Sequence, residues 1–277
     1  MKAITNRFAR RRLVNVLWLL LACGLLVMAK AAGDNGLYAT EFFTGWTLFA
    51  CIIGLTALNL RKKLPFLPVG RASLWLQLHI YTGFFALVAY WLHAGRATTH
   101  GYFETVLEAL FLLVAVSGVV GLLLSRVLSR RLTRHGENLL YERMPGFIAR
   151  LRSEVEELVL RAGAEHGSTA IPEFYTLYLR AFFLKPRNFW AHLLESRGPS
   201  QYLADKISAL ERYLDAGERE ILGEIAERVE TKHGLDYQYA AQSLLKWWLF
   251  LHIPFTYGLI LFAGAHAVLV YAFAGSA

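Results

Sequence analysis

Residues 74–94 read LWLQLHIYTGFFALVAYWLHA, and residues 246–273 read KWWLFLHIPFTYGLILFAGAHAVLVYAF. Each is an apolar run long enough to cross a hydrocarbon core of ~30 Å, which takes about 20 helical residues. Each also carries two histidines fourteen positions apart, His79 and His93 in the first, His252 and His266 in the second. Ionisable side chains at that depth are costly and demand a partner or a function. In a helix, fourteen steps of about 100° fall only ~40° short of four turns, so both histidines of a run share one face. At ~1.5 Å per residue they lie about 21 Å apart along the axis.

Working outward, three further apolar runs span about Leu13–Ala29, Tyr38–Leu60 and Phe103–Leu124. Hydrophobic residues make up 56% of the 277-residue chain and charged ones 18%, fewer charges than a soluble domain carries. The expected fold is therefore all-α, with five transmembrane helices. The formal charge of +8 does not indicate nucleic acid, because the basic residues cluster at the ends of the apolar runs, the signature of membrane orientation. Arg10-Arg11-Arg12 precede the first run, which continues past Cys23 through Leu25–Met28 and so reads as an uncleaved anchor rather than a signal peptide. The N-terminus, the Arg61-Lys62-Lys63 to Arg71 loop and the segment carrying Arg126, Arg130, Arg131 and Arg134 are basic, hence cytoplasmic; the 30–40 and 95–102 loops are not, hence external. Five crossings put the C-terminus outside, with a bacterial cytoplasmic membrane as the expected location.

About 115 residues between the fourth and fifth runs differ in composition. Arg150–Ala162, Tyr175–Leu184, Tyr202–Leu214 and Glu218–Lys232 mix apolar and charged residues at helical spacing. Pro172, Pro186 and Pro199 punctuate them, and Gly234 is expected to break the chain before the last membrane helix. The expected organisation is four membrane helices over 1–128, a cytoplasmic helical subdomain over 129–245 and a fifth membrane helix over 246–277. The insertion has neither a GxGxxG nor a GxxxxGKS nucleotide loop.

The two cysteines, Cys23 and Cys51, lie in apolar runs, and no CxxCH appears for covalent haem attachment. By the topology above, the third and fifth helices run in the same direction, so His79 lies level with His252 and His93 with His266. Opposed neutral imidazoles are what six-coordinate haem iron takes as axial ligands, and cofactor sites between facing helices are common in bundles. Two haem b groups are expected, an inner one on His79 and His252 and an outer one on His93 and His266. Gly83 and Ala86 on the third helix, with Gly258, Ala263 and Gly264 on the fifth, give room for flat macrocycles. Arg71, Arg126 and Lys246 inside, and Arg96 and His100 outside, are candidate propionate partners. Tyr90 and Phe262 fall between the two levels. Glu104 and Glu108, one turn apart, are candidates to relay protons for a quinol, the simpler expectation being an interfacial pair facing water. Trp75, Trp247 and Trp248 fit an interfacial belt. His135, His166, His192 and His233 lack metal-ligand spacing and are expected to be surface or core residues.

The double pattern His79/His93 and His252/His266 resembles two groups of transmembrane di-haem cytochromes. One is the cytochrome b subunit of quinol–cytochrome c oxidoreductases. The other is the membrane domain of ferric reductases and NADPH oxidases, which the placement on helices three and five resembles more closely. The tail from about Glu173 to Phe273 also resembles a bacterial family of stand-alone cytochrome b proteins whose redox partners are separate polypeptides. The likeness covers the membrane part of the chain. The sequence shows no sixth helix, no following flavin–NADPH domain and no Pro-Glu-Trp-Tyr quinol motif, departures that put intrinsic NADPH oxidation in doubt and weaken carry-over of the bc-type quinol site.

These readings make the chain an electron carrier in contact with lipid, with redox protein partners on one or both faces and quinone as a further candidate. The alternatives are a quinol-oxidising or metal- or oxygen-reducing oxidoreductase subunit, a haem-free membrane scaffold, and a proton-coupled transporter.

Overall fold

A computed structural model describes residues 2–36, 40–63, 70–95, 101–132, 140–194, 196 and 198–273. Every regular element among them is helical: α1 (Lys2–Asn35), α2 (Thr40–Lys63), α3 (Ala72–Ala94), α4 (Tyr102–Leu132), a 3-10 turn (Tyr141–Arg143), α5 (Met144–His166), α6 (Ala170–Phe174), a π-helical turn (Tyr175–Leu179), α7 (Arg180–Leu184), α8 (Phe189–Leu193), α9 (Gly198–Glu211) and α10 (Ala216–Phe273). The protein is all-α. Five of these helices, α1 to α4 and α10, are long and apolar enough to cross a membrane, so this is a membrane protein with lipid-facing helices.

The chain divides into two compact units, Met1–Val120 with Leu251–Ala277, and Gly121–Phe250. The first unit centres on Leu26, Leu48, Cys51, Ile52, Ala86, Ala89, Phe111, Leu259 and Ala263, so all five apolar helices contribute to one core. Ala86 and Ala89 are almost fully buried; small side chains there let neighbouring backbones approach, the usual basis of packing where lipid removes the hydrophobic drive between helices. The outward residues of α1 are large and apolar, with Trp18 65% and Met28 69% exposed. Hydrocarbon, unlike water, is the solvent that such a surface fits. Polar cross-links tie these helices: Asn15 Nδ2 donates to Gln77 Oε1 at 3.2 Å, and Trp46 Nε1 to the Tyr271 hydroxyl at 2.9 Å.

The second unit has a core of soluble-protein type, built from Val155, Leu158, Ile171, Leu179, Phe182, Phe183, Ile221, Leu222 and Ile225 among others. Its helix ends are chemically punctuated. Gly167 closes α5 at φ +62° while Ser168 N–H donates to Ala162 O at 3.2 Å, a left-handed cap that glycine adopts without strain. Asp215 and Glu218 cap α10 reciprocally: Glu218 N–H donates to Asp215 Oδ1 at 2.7 Å, and Asp215 N–H to Glu218 Oε2 at 3.0 Å. Gly121 admits the Trp248 indole against α4, in space that a Cβ would occupy.

The expected break at Gly234 does not occur, because α10 runs through it from Ala216 to Phe273. A helical glycine costs about 1 kcal/mol; here Leu235, Tyr237, Ala240 and Ala241 are all buried around it, and their packing outweighs that cost. Pro172 and Pro199 fall inside the first turns of α6 and α9, where the missing N–H has no helical partner to lose.

Candidate metal centre

His93 and His266 face each other in the first unit, with ring centroids 6.4 Å apart and planes at 80°. Two imidazoles bound through nitrogen to one metal place their centroids about 6.3 Å apart, given metal–nitrogen bonds of ~2.0 Å. The observed ring separation is of that size for ligands on opposite sides of one metal. His93 comes from the last turn of α3 and His266 from α10, as the paired spacing implies.

The neighbouring helices fix the rings. His93 Nδ1 lies 3.2 Å from the carbonyl oxygen of Glu41 and 3.3 Å from Thr44 Oγ1, both on α2. The single Thr44 hydroxyl proton is shared between Thr40 O and Glu41 O. His79 Nδ1 lies 3.0 Å from the carbonyl oxygen of Leu55, also on α2. A carbonyl only accepts, so Nδ1 carries the proton in both rings and the lone pair resides on Nε2. His252 Nδ1 meets Ser117 Oγ on α4 at 2.7 Å, and that hydroxyl donates to Val114 O at 2.9 Å. When that proton is directed at Val114 O, Ser117 accepts from Nδ1–H, the same tautomer as the other two rings. Holding a histidine by its remote nitrogen is how proteins orient metal-binding imidazoles.

The same contacts set the helix directions. On α2, Leu55 meets His79 and the stretch from Glu41 to Gly45 meets His93, so α2 and α3 are antiparallel. On α4, Ser117 meets His252 and Phe103 stacks on His266 at 6.4 Å and 15°, so α4 and this part of α10 are antiparallel too. Tyr90 on α3 stacks on Phe111 of α4 at 4.4 Å. With His93 facing His266, α3 and α10 run in parallel, and their histidines occupy two levels about 21 Å apart.

Close approach at the His93 level depends on Gly45. A Cβ there would lie 2.8 Å from His93 Cε1, inside van der Waals contact. Around His93 and His266 lies a cavity of about 330 Å³ whose lining also includes Trp46, Tyr90, Phe111, Leu259 and Ala263, at the lower end of the size of ligand pockets. Its polar wall is acidic, with Glu41, Glu104 and Glu108. Tyr90 donates its hydroxyl to Glu108 Oε1 at 2.6 Å, so Glu108 is tied to the tyrosine rather than standing as one of a water-facing pair.

Of the other residues singled out, Ala86 is buried on the His-bearing face of α3, and beside Gly83 there is open space within 4 Å. Ala263 lines the cavity. Gly258 and Gly264 are rotated about 240° and 120° from His252, away from the face that carries the histidines. Arg71 is the exposed N-cap of α3. Lys246 pairs with Glu142 at 2.5 Å, with its ammonium 3.9 Å from the centre of the Tyr141 ring. Arg96, His100 and His135 lie outside the described residues. Gly45, Thr44 and Ser117 had no signal in the sequence beyond being small or hydroxylic residues in an apolar run.

Among the described residues no three histidine, cysteine, aspartate or glutamate side chains group to hold a metal ion. Haem iron brings four nitrogens of its own and takes two imidazoles, so the donor set fits that group. Comparison with protein-family models, with curated proteins and with solved structures returned no match.

Proposed function

We propose that this chain is a di-haem b-type cytochrome that carries electrons across a membrane, between a cytoplasmic-side or quinone-pool partner and an external partner. The observation that carries the reading is the His93–His266 pair, with rings 6.4 Å apart and the remote nitrogen of His93 held by α2. Bound between each pair, haem b supplies a one-electron ferric–ferrous couple. His79 and His252 would hold the inner group and His93 and His266 the outer one. The Leu55 and Glu41 carbonyls and the Ser117 hydroxyl keep the rings in the tautomer that presents Nε2. Phe103, stacked on both Phe262 and His266, gives the outer ligand an apolar neighbour on one side. The Lys/Arg distribution supports a bacterial cytoplasmic membrane with the N-terminus inside and the C-terminus outside, and the 129–245 region as a cytoplasmic subdomain.

The test is haem content per polypeptide, with reduced-minus-oxidised spectra, for the wild type and for His79→Ala and His266→Ala. Two low-spin b haems in the membrane unit, with each variant losing a different one, support the reading. A wild type in which neither substitution removes haem sinks it.

A second reading is favoured by the acidic wall of the outer cavity. Tyr90, Glu108 and Glu104 beside His93 and His266 are groups that accept and pass protons, as a quinol-oxidising subunit requires. Quinol-dependent reduction blocked by a quinone analogue, and impaired by Glu108→Gln, would support it.

A further inference from the structure

The first unit separates its charges along its helices. Its acids are Asp34, Glu41, Glu104 and Glu108. Glu104 and Glu108 line the cavity at the His93 level, and Glu41 meets His93 through its carbonyl. Asp34 accepts from Thr40, the neighbour of Glu41. At the opposite end α1 carries Arg10, Arg11 and Arg12 and α3 begins after Arg71, all four exposed. No carboxylate of the unit lies at that end, so the counter-charge for these guanidinium groups comes from outside the unit.

Two of the arginines open onto one groove. The end of α1 meets the start of α2, where Lys30 donates to Thr40 at 3.4 Å. Because α2 is antiparallel to α3, α1 and α3 run in parallel. The bond from Asn15 to Gln77 marks where they face each other. At about 100° per residue, Arg11 and Trp18 lie ~40° and ~60° to one side of Asn15, and Leu74 and Leu78 lie ~60° and ~100° the other way round from Gln77. Between parallel helices, opposite rotations lead to the same groove. Arg71 stands at its rim above Leu74, whose N–H donates to Arg71 O at 3.0 Å. Arg12 falls across the contact from this groove, and Arg10 is turned about 100° further round than Arg11.

Below the two cations the groove is apolar and open. Trp18 is 65% exposed, Leu74 52% and Leu78 61%. Trp18 follows Arg11 by seven residues and Leu78 follows Arg71 by seven, so the apolar stretch runs about 10 Å deeper than the cations. Cation at the rim and hydrocarbon beneath is the depth profile of a phospholipid with a negative head. Guanidinium groups pair with phosphate oxygens through two parallel hydrogen bonds, and each basic residue at an anionic membrane surface strengthens the attraction several-fold. We infer that this groove seats an anionic phospholipid, its phosphodiester held by Arg11 and Arg71 and an acyl chain laid along Trp18, Leu74 and Leu78.

The experiment uses the full-length chain, delipidated in detergent, with lipid adducts read by native mass spectrometry as phosphatidylglycerol or phosphatidylcholine is added. The wild type is expected to take up phosphatidylglycerol in preference to phosphatidylcholine. Arg11→Gln and Arg71→Gln should each weaken that binding about 5-fold, and together roughly 30-fold. The double variant of Arg10→Gln with Arg12→Gln removes the same charge outside the groove and should stay within about 2-fold of the wild type. Equal weakening by the two double variants overturns the inference, because a diffuse basic edge would then account for the binding. So does equal affinity for the two lipids, or displacement of phosphatidylglycerol by glycerol phosphate, which has the head without the chains. Trp18→Ala with Leu78→Ala keeps every charge and should weaken both lipids; unchanged binding overturns the placement of the chain. That variant decides the matter if the loss of both arginines prevents insertion. Haem content does not enter any of these readings, so the result stands apart from the proposed electron transfer.

Discussion

Replacing Gly45 with alanine tests whether the outer histidine pair is a metal site or a packing contact. The new Cβ would lie 2.8 Å from Cε1, 3.3 Å from Nδ1 and 3.5 Å from Nε2 of His93, whereas carbon atoms settle at about 3.5–4.0 Å. The imidazole must therefore retreat by about 0.7–1.2 Å. That displacement breaks its contact with the Glu41 carbonyl, now 3.2 Å, at a cost of about 1 kcal/mol. Pushing the ring off its rotamer costs about another 1 kcal/mol. A total of about 2 kcal/mol corresponds to roughly 30-fold weaker retention of a group bound through that ring. The assay is haem remaining per chain after transfer to apo-myoglobin, followed by difference spectra. Gly54→Ala on the same helix is the control, because nothing lies within 4 Å of a Cβ there. Gly45→Ala should release one haem about 30 times more readily while Gly54→Ala behaves as wild type. Equal retention in both variants would refute the assignment of His93 as a ligand.

Other expectations follow from single contacts. Ser117→Ala removes the acceptor for His252 Nδ1 and should weaken the inner site about 10-fold, leaving the outer spectrum unchanged; a titration of the haem-depleted protein reads this directly. Glu108→Gln removes a negative charge from the wall of the outer cavity and should raise the outer midpoint potential, by on the order of 30 mV for one partly screened charge; potentiometry that finds no shift would place that charge elsewhere. Gly121→Ala drives a methyl group into the Trp248 indole and should cost the second unit about 1–3 kcal/mol, seen as earlier loss of its helical signal on heating. In the same unit, Tyr175 and Arg152 donate to Glu156 at 2.7 and 2.9 Å, and the tyrosine hydroxyl first, then the arginine, hold that carboxyl below its ordinary range. Its contribution is therefore present above the usual carboxylate pKa and lost as the pH falls through the lowered value. Acid unfolding should begin at higher pH in Tyr175→Phe than in the wild type.

The apolar runs and the fourteen-residue histidine spacing were enough to read five long helices and two histidine levels, because both follow from helix pitch and hydrocarbon thickness alone. What escaped was whatever depends on contact between helices. Gly45 looks like any glycine in an apolar helix until His93 is seen against it, and Ser117 like any serine. Gly258 and Gly264 suggested room for a cofactor by composition, yet their angular offset from His252 was already contained in the numbering. Gly234 misled because its propensity cost is small beside the packing of its neighbours.

Distance along the chain has a consequence in time. His79 and His93 emerge early in synthesis, and their α2 partners, Leu55 and Glu41, come before them. The opposing ligands, His252 for His79 and His266 for His93, each follow 173 residues later (252 − 79 and 266 − 93), after the whole second unit has been made. At ~5–20 residues per second the ribosome needs about 9–35 s to supply each. For that interval each site is half-built: an oriented imidazole without its counterpart. If the pairs hold haem as proposed, each site would offer one imidazole in place of two during that interval, so loading would be expected to follow the placement of α10.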